Sequence, residues 1–86
     1  VADAVGERLA RLSSQVQVLV VTHAPQVAAR AAHHFRVEKA IKGGSTRTNV
    51  VRLSAPERLE EVARMLSGAS VTAEARAAAQ ALMGAG

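Results

Sequence analysis

Three histidines and a group of cations around a Gly-Gly turn are the residues whose types and spacing suit chemistry. His23 ends the run VQVLVVTH, which begins at Val16, and Pro25 follows two residues later. An almost unbroken β-branched run reads as a strand covered on both faces, as in a parallel sheet. In such sheets ligands sit beyond the carboxyl ends of the strands. There a neutral imidazole can hydrogen-bond a phosphate oxygen or an attacking water, and near pH 7 it can shuttle a proton. A histidine in the same place can instead cap the next helix or pack under a loop. Residue type alone leaves both readings open.

His33 and His34 invite a metal site shared with His23. Adjacent strand residues point to opposite faces, however, and the chain has no Cys and no carboxylate at ligand spacing. No zinc site is expected. Lys39, Lys42, Arg47 and Arg52 surround the turn Lys42-Gly43-Gly44-Ser45. They suit contacts to a phosphate backbone, or they form the charged, solvated edge that keeps a hairpin from aggregating; the pattern favours the second. No aromatic is interleaved, so base stacking is excluded there. Gly43-Gly44 lacks the spacing of a phosphate-binding loop, and no nucleophile elbow is present. The 86 residues contain no complete catalytic machine.

The elements that must position these residues follow from periodicity. Residues 2–12 put Ala2, Val5, Leu9 and Leu12 on one helical face, with Glu7 and Arg11 as an i,i+4 pair. Gly6 weakens that helix, so either something packs close there or the upstream chain holds it. Ser13-Ser14-Gln15 interrupt it before the strand Val16–Val21. Pro25 opens a short helix to about Ala32, with Val27 and Ala31 inward. His33–Lys39 alternates as a half-buried strand with Phe35 and Val37 on one face, and Thr48–Leu53 returns as the second arm of a hairpin. Ser54 and Glu57 form a capping box for a helix carrying Leu59, Val62, Ala63 and Leu66, closed by Gly68. Thr72 caps a last Ala-rich helix, 73–83.

Composition bounds the rest. At 86 residues the chain buries only about 60–65% of the surface its unfolded form exposes. Its apolar content is 49%, but with one Phe and no Trp or Tyr the core is built of small side chains. The absence of Cys excludes disulfides and thiolate chemistry. No apolar run reaches the roughly 18 residues of a membrane span, and Asp3 and Glu7 occupy the place of a signal peptide's basic region. A net charge of +4 is compatible with nucleic acid or with an ordinary Arg-rich surface. The opening at Val1, already inside an amphipathic pattern, is that expected of a piece of a longer chain whose other sheet strands lie upstream.

From Val18 to Lys39, VLVVTHAPQVAARAAHHFRVEK strongly resembles the RecN family of bacterial DNA repair proteins, relatives of the SMC and ABC-type ATPases. VADAVGERLARLS resembles that family's helix after the D-loop, and ERLEEVARMLSG and VTAEARAAAQALM resemble its C-terminal tail. The resemblance spans essentially the whole chain. It implies an α/β fold: the C-terminal part, residues 1–86, of a P-loop ATPase head, with one buried parallel strand and a hairpin flanked by helices. The Walker A, signature, Walker B and D-loop segments would precede Val1. His23 would be the switch histidine of the H-loop, the catalytic and nucleotide-contacting residue beside the γ-phosphate, ordering the attacking water. Gln26 lies in the same motif and is assigned no catalytic role. The resemblance further implies ATP and Mg²⁺ in the full-length protein, a head-to-head homodimer, DNA as partner, no membrane, and a place in the bacterial cytoplasm at the nucleoid. The isolated 86 residues are expected to be inactive. Two rivals remain: another SMC- or ABC-type head, and a small basic DNA-binding module whose hairpin does the work.

Overall fold

A computed structural model describes residues 1–84, in the order α1 (Ala2–Leu12), α2 (Pro25–Ala28), β1 (Phe35–Lys42), β2 (Ser45–Arg52), α3 (Ala55–Ser67) and α4 (Ala73–Gly84). α1 carries Asp3 in its first turn and Arg11 in its last, complementing the helix dipole. Glu7 and Arg11 pair at 3.2 Å on its surface. The helix stops where the Ser13 and Ser14 hydroxyls donate to the carbonyls of Ala10 and Arg11, at 2.6 and 2.7 Å. Those carbonyls have no intrahelical partner, so the two serines satisfy the helix end.

Gly6 is the buried residue of α1, and its neighbour is α2. A Cβ there would lie 2.8 Å from the Gln26 carbonyl oxygen and 3.3 Å from the Val27 Cα. An exposed helical Gly→Ala change stabilises by about 1 kcal/mol. Here the clash is with backbone, so Gly6→Ala is expected to destabilise instead, by about 1–2 kcal/mol, since overpacking outweighs propensity. Urea unfolding checks the sign, and a more stable variant would contradict the packing.

α3 opens with the expected capping box: Ser54 Oγ accepts from the Glu57 amide at 3.4 Å, and Glu57 Oε1 accepts from the Ser54 amide at 2.9 Å. Gly68 at φ +85° ends it, and Thr72 Oγ1 accepts from the Ala75 amide at 3.1 Å to start α4. α3 and α4 enclose the core. Val62, Ala63 and Ala79 are fully buried, with Ala29 and Ala75 beside them and Leu59, Val71, Leu82 and Met83 around the edge. Among the described residues five of the seven buried apolar ones are alanines, so each contributes little area.

The only sheet among the described residues is the antiparallel pair β1–β2. Its register runs from Phe35↔Arg52 to Lys42↔Ser45. Gly43 and Gly44 at φ +55° and +79° make the two-residue turn, a conformation that matches strand twist and favours Gly at both places. This tight turn is why pairing reaches the tip, extending β1 to Lys42 and starting β2 at Ser45 rather than Thr48. His33 and His34 precede β1 instead of opening it.

Four expectations require correction. The run Val16–Val21 forms no strand: the Val16 amide donates back to the Leu12 carbonyl at 3.1 Å, residues 17–21 pair with no strand among the described residues, and the run is not buried, with Leu19 and Val21 90% and 94% exposed. Among the described residues there is no parallel neighbour to pair with it. The helix from Pro25 lasts a single turn to Ala28, and it buries Ala28 and Ala29; Val27 is half-buried and Ala31 exposed. Phe35 and Val37 do share a face, but it is uncovered, at 48% and 59% exposure. Val5 and Leu12 are likewise exposed, because α1 packs through Gly6. The radius of gyration is 14.0 Å, against about 12 Å for a compact chain of this length. No helix of the described residues is long and apolar enough to cross a membrane.

Candidate functional site

His23 stands where the extended apolar run meets the start of α2. Thr22 Oγ1 accepts from the Ala24 amide at 3.0 Å, an ST-type turn that lets the chain change direction. Ala24 takes the N-cap position and Pro25 the first helical position, where a missing N–H costs nothing. The His23 side chain is exposed and makes no hydrogen bond to another described residue. It neither caps α2 nor packs under a loop, which leaves its ring nitrogens open to a ligand.

His23 borders an open groove of about 1440 Å³ between the extended run and the uncovered face of β1. Formed ligand pockets span about 300–1,000 Å³. The larger, open space is bare apolar surface on Val18, Val20, Phe35 and Val37 rather than a shaped pocket.

The three histidines do not converge. His33 is exposed, and its Nδ1 lies 2.9 Å from Arg52 Nη2 across the base of the hairpin. His34 is half-buried, its Nδ1 without a partner, beside Arg58, whose Nε also lacks one. Arg58 spends its Nη2 on the Ala31 carbonyl at 2.8 Å. Among the described residues no three His or carboxylate groups are placed to hold one metal ion.

The charged site that the pattern missed is Glu61. It is buried on α3, where Arg64 donates to both of its oxygens and Arg36 of β1 approaches to 3.5 Å. Arg36 also donates to Glu38 through Nε at 3.0 Å. The cluster ties the hairpin to α3. Its one sequence signal is the i,i+3 spacing of Glu61 and Arg64, which an exposed pair would share.

This cluster makes stability depend on pH in two windows. Hydrogen bonding from Arg64 holds the Glu61 carboxyl below its usual 4.5, against the opposing effect of burial. That contribution is present above 4.5 and is lost as pH falls through the lowered value. Desolvation, then the Arg58 charge, pushes His34 below its usual 6.5, with Arg36 adding to and Glu61 opposing the shift. The unfolded chain therefore takes up a proton first, and stability declines as pH drops from about 6.5 toward the lowered value. Urea midpoints followed through acidification should show both declines. In His34→Gln the upper one should vanish, and a wild-type profile flat through the histidine range would contradict the assignment.

Comparison with known proteins relates the chain to bacterial DNA repair proteins. The particular family is RecN, and the 86 residues are homologous to a segment of its members. The chain is 58% identical over 67 residues to the DNA repair protein RecN of Deinococcus radiodurans, covering 78% of this chain and 12% of that protein. It is 48% identical over 83 residues to the proteins of the same name from Rickettsia conorii and Xylella fastidiosa, covering 96% of this chain and 15% of each. The chain thus spans 12–15% of the length of these relatives. No protein-family model matches it.

Proposed function

We propose that the chain is the histidine-bearing part of an ATP-hydrolysing head in a protein that repairs DNA double-strand breaks by recombination. The observation that carries this reading is the setting of His23: exposed, without a partner among the described residues, at the end of an apolar run and at the start of α2. The likeness to proteins named for DNA repair supports the biological half of the reading.

In this reading a parallel sheet from the rest of a longer polypeptide takes the run Gln17–Val21 as one more strand. That step would cover Leu19 and Val21 and pair the open backbone. It would also bring His23 to the carboxyl edge of a sheet, where nucleotides bind in such folds. His23 fits a phosphate oxygen or an attacking water: its ring is exposed, and no other described side chain occupies it. The sequence has no phosphate-cradling loop motif, and among the described residues no three His or carboxylate groups are placed to hold a metal ion. ATP and Mg²⁺ would take their other ligands from the rest of the polypeptide. Bound Mg²⁺ supplies charge neutralisation of the transferred phosphoryl group, and catalysis of that transfer is mostly positioning. His23 would position the water. Pairing of two heads around ATP would then couple nucleotide turnover to the holding of DNA. The test is ATP turnover by the longer natural polypeptide that carries this segment. Hydrolysis that depends on His23 supports the reading, and hydrolysis indifferent to it removes it.

A further inference from the structure

The chain's positive charge has one address. Residues 35–52 hold five cations, Arg36, Lys39, Lys42, Arg47 and Arg52, against the single acid Glu38, a net charge of +4. The whole chain is also +4, so the six basic and six acidic residues outside the hairpin cancel. Within the hairpin, Arg36 is held by Glu38 and Glu61, and Arg52 lies against His33. Lys39, Lys42 and Arg47 are left at the tip end, exposed and in no ion pair among the described residues.

Pairing sets how they are displayed. Ala40 lies opposite Arg47 and Lys42 opposite Ser45, which puts Lys42 and Arg47 on one face; Lys39, opposite Thr48, is on the other. The three cations therefore straddle the ribbon, interleaved with the donors Ser45, Thr46 and Thr48. Between them the Gly43-Gly44 turn is narrow, and a Cβ at either position would meet nothing within 4 Å. The tip can approach another surface without a side chain in the way. Phosphate oxygens are bound by such Lys, Arg, Ser and Thr side chains, and a two-stranded ribbon is among the elements the major groove admits.

We propose that the tip of the β1–β2 ribbon contacts the phosphate backbone of duplex DNA through Lys39, Lys42 and Arg47. The proposal rests on the DNA-repair reading but not on ATP hydrolysis. It requires no base readout, so binding is indifferent to sequence and strongly dependent on salt.

The experiment is fluorescence anisotropy of a short random-sequence duplex with the longer natural polypeptide, titrated at several salt concentrations. Each lost phosphate contact lowers the slope of log affinity against log salt by about 0.9, so the triple variant K39A/K42A/R47A should be shallower by about 2.7. The advantage of wild type over that variant should then shrink about 40-fold between about 50 and about 200 mM salt. The charge-keeping variant K39R/K42R/R47K should retain the wild-type slope, which separates lost contacts from a misfolded hairpin. Arg8→Ala with Arg11→Ala, on α1, should leave the slope unchanged. A triple variant that binds with wild-type affinity and slope overturns the ribbon proposal alone. Wild type that binds no duplex at low salt overturns both the ribbon and the DNA-repair reading beneath it. Binding to anionic phospholipid vesicles through the same three cations, with none to duplex, would replace DNA by a membrane surface.

Discussion

His23→Ala in the longer polypeptide is expected to cut ATP turnover by about 10²–10⁴-fold, the range for removing a group that handles a proton or water in the transition state. Nucleotide binding should largely survive, because the other phosphate contacts and the base contacts lie outside these residues in the proposed reading. The expected signature is a fall in kcat with KM and nucleotide Kd little changed, which marks an interaction made chiefly in the transition state. The structure makes this a clean test. His23 is exposed and bonded to no other described side chain, so its removal should move folding stability by no more than about 0.5 kcal/mol. A lost rate then cannot be blamed on unfolding. Near-wild-type hydrolysis would sink the assignment, and equal loss of binding and turnover would make His23 a ground-state nucleotide contact instead.

The second large effect is on the core. Val62→Ala is expected to destabilise the 86-residue chain by about 2–3 kcal/mol, the low end of the range for Leu, Ile or Met→Ala. Val62 is fully buried in one cluster with Ala29, Ala63, Ala75 and Ala79. Core mutations cost less when neighbouring side chains swing in to fill the gap. An alanine has no χ angle and cannot do so, which leaves only the rim side chains Leu59, Val71, Leu82 and Met83, or a shift of whole helices, to close the cavity. In a domain of this size, 1 kcal/mol corresponds to about 4–8 °C in Tm, and the variant should melt at least about 8 °C below wild type. A shift under about 2 °C would mean that α3 and α4 close up freely and that the alanine core is not tightly packed.

Local features proved legible wherever one short stretch decides the structure. The capping box at Ser54 and Glu57, the Thr72 cap and the stop at Gly68 involve atoms within a few residues of each other. The Gly43-Gly44 turn is similar, because only a backbone tolerant of positive φ closes a two-residue hairpin there. Gly6 left two readings open, close packing or support from the upstream chain, and the fold decides for packing, against the Gln26 carbonyl. His23 could be picked out from residue type and position, since a polar residue ending a β-branched run before a proline-started helix is a local pattern.

Burial was a different matter. The hydrophobic run Val16–Val21 reads as an interior strand from composition, yet a strand's partners are set by whatever else is folded beside it. With none present among the described residues it lies open, and so does the apolar face of Phe35 and Val37. Glu61 shows the converse: a charged residue on an amphipathic helix reads as surface, yet it is buried, met by Arg64 of its own helix and by Arg36 from a distant strand. The hairpin's cations were visible as a list of residues, but which were already paired depended on Glu61, Glu38 and His33. By itself the sequence determined the caps, the turn, the alanine-rich core composition and the place of His23 in the chain. The tertiary structure alone decided which apolar faces are covered and which charges are neutralised, because both depend on contacts between residues far apart in the chain.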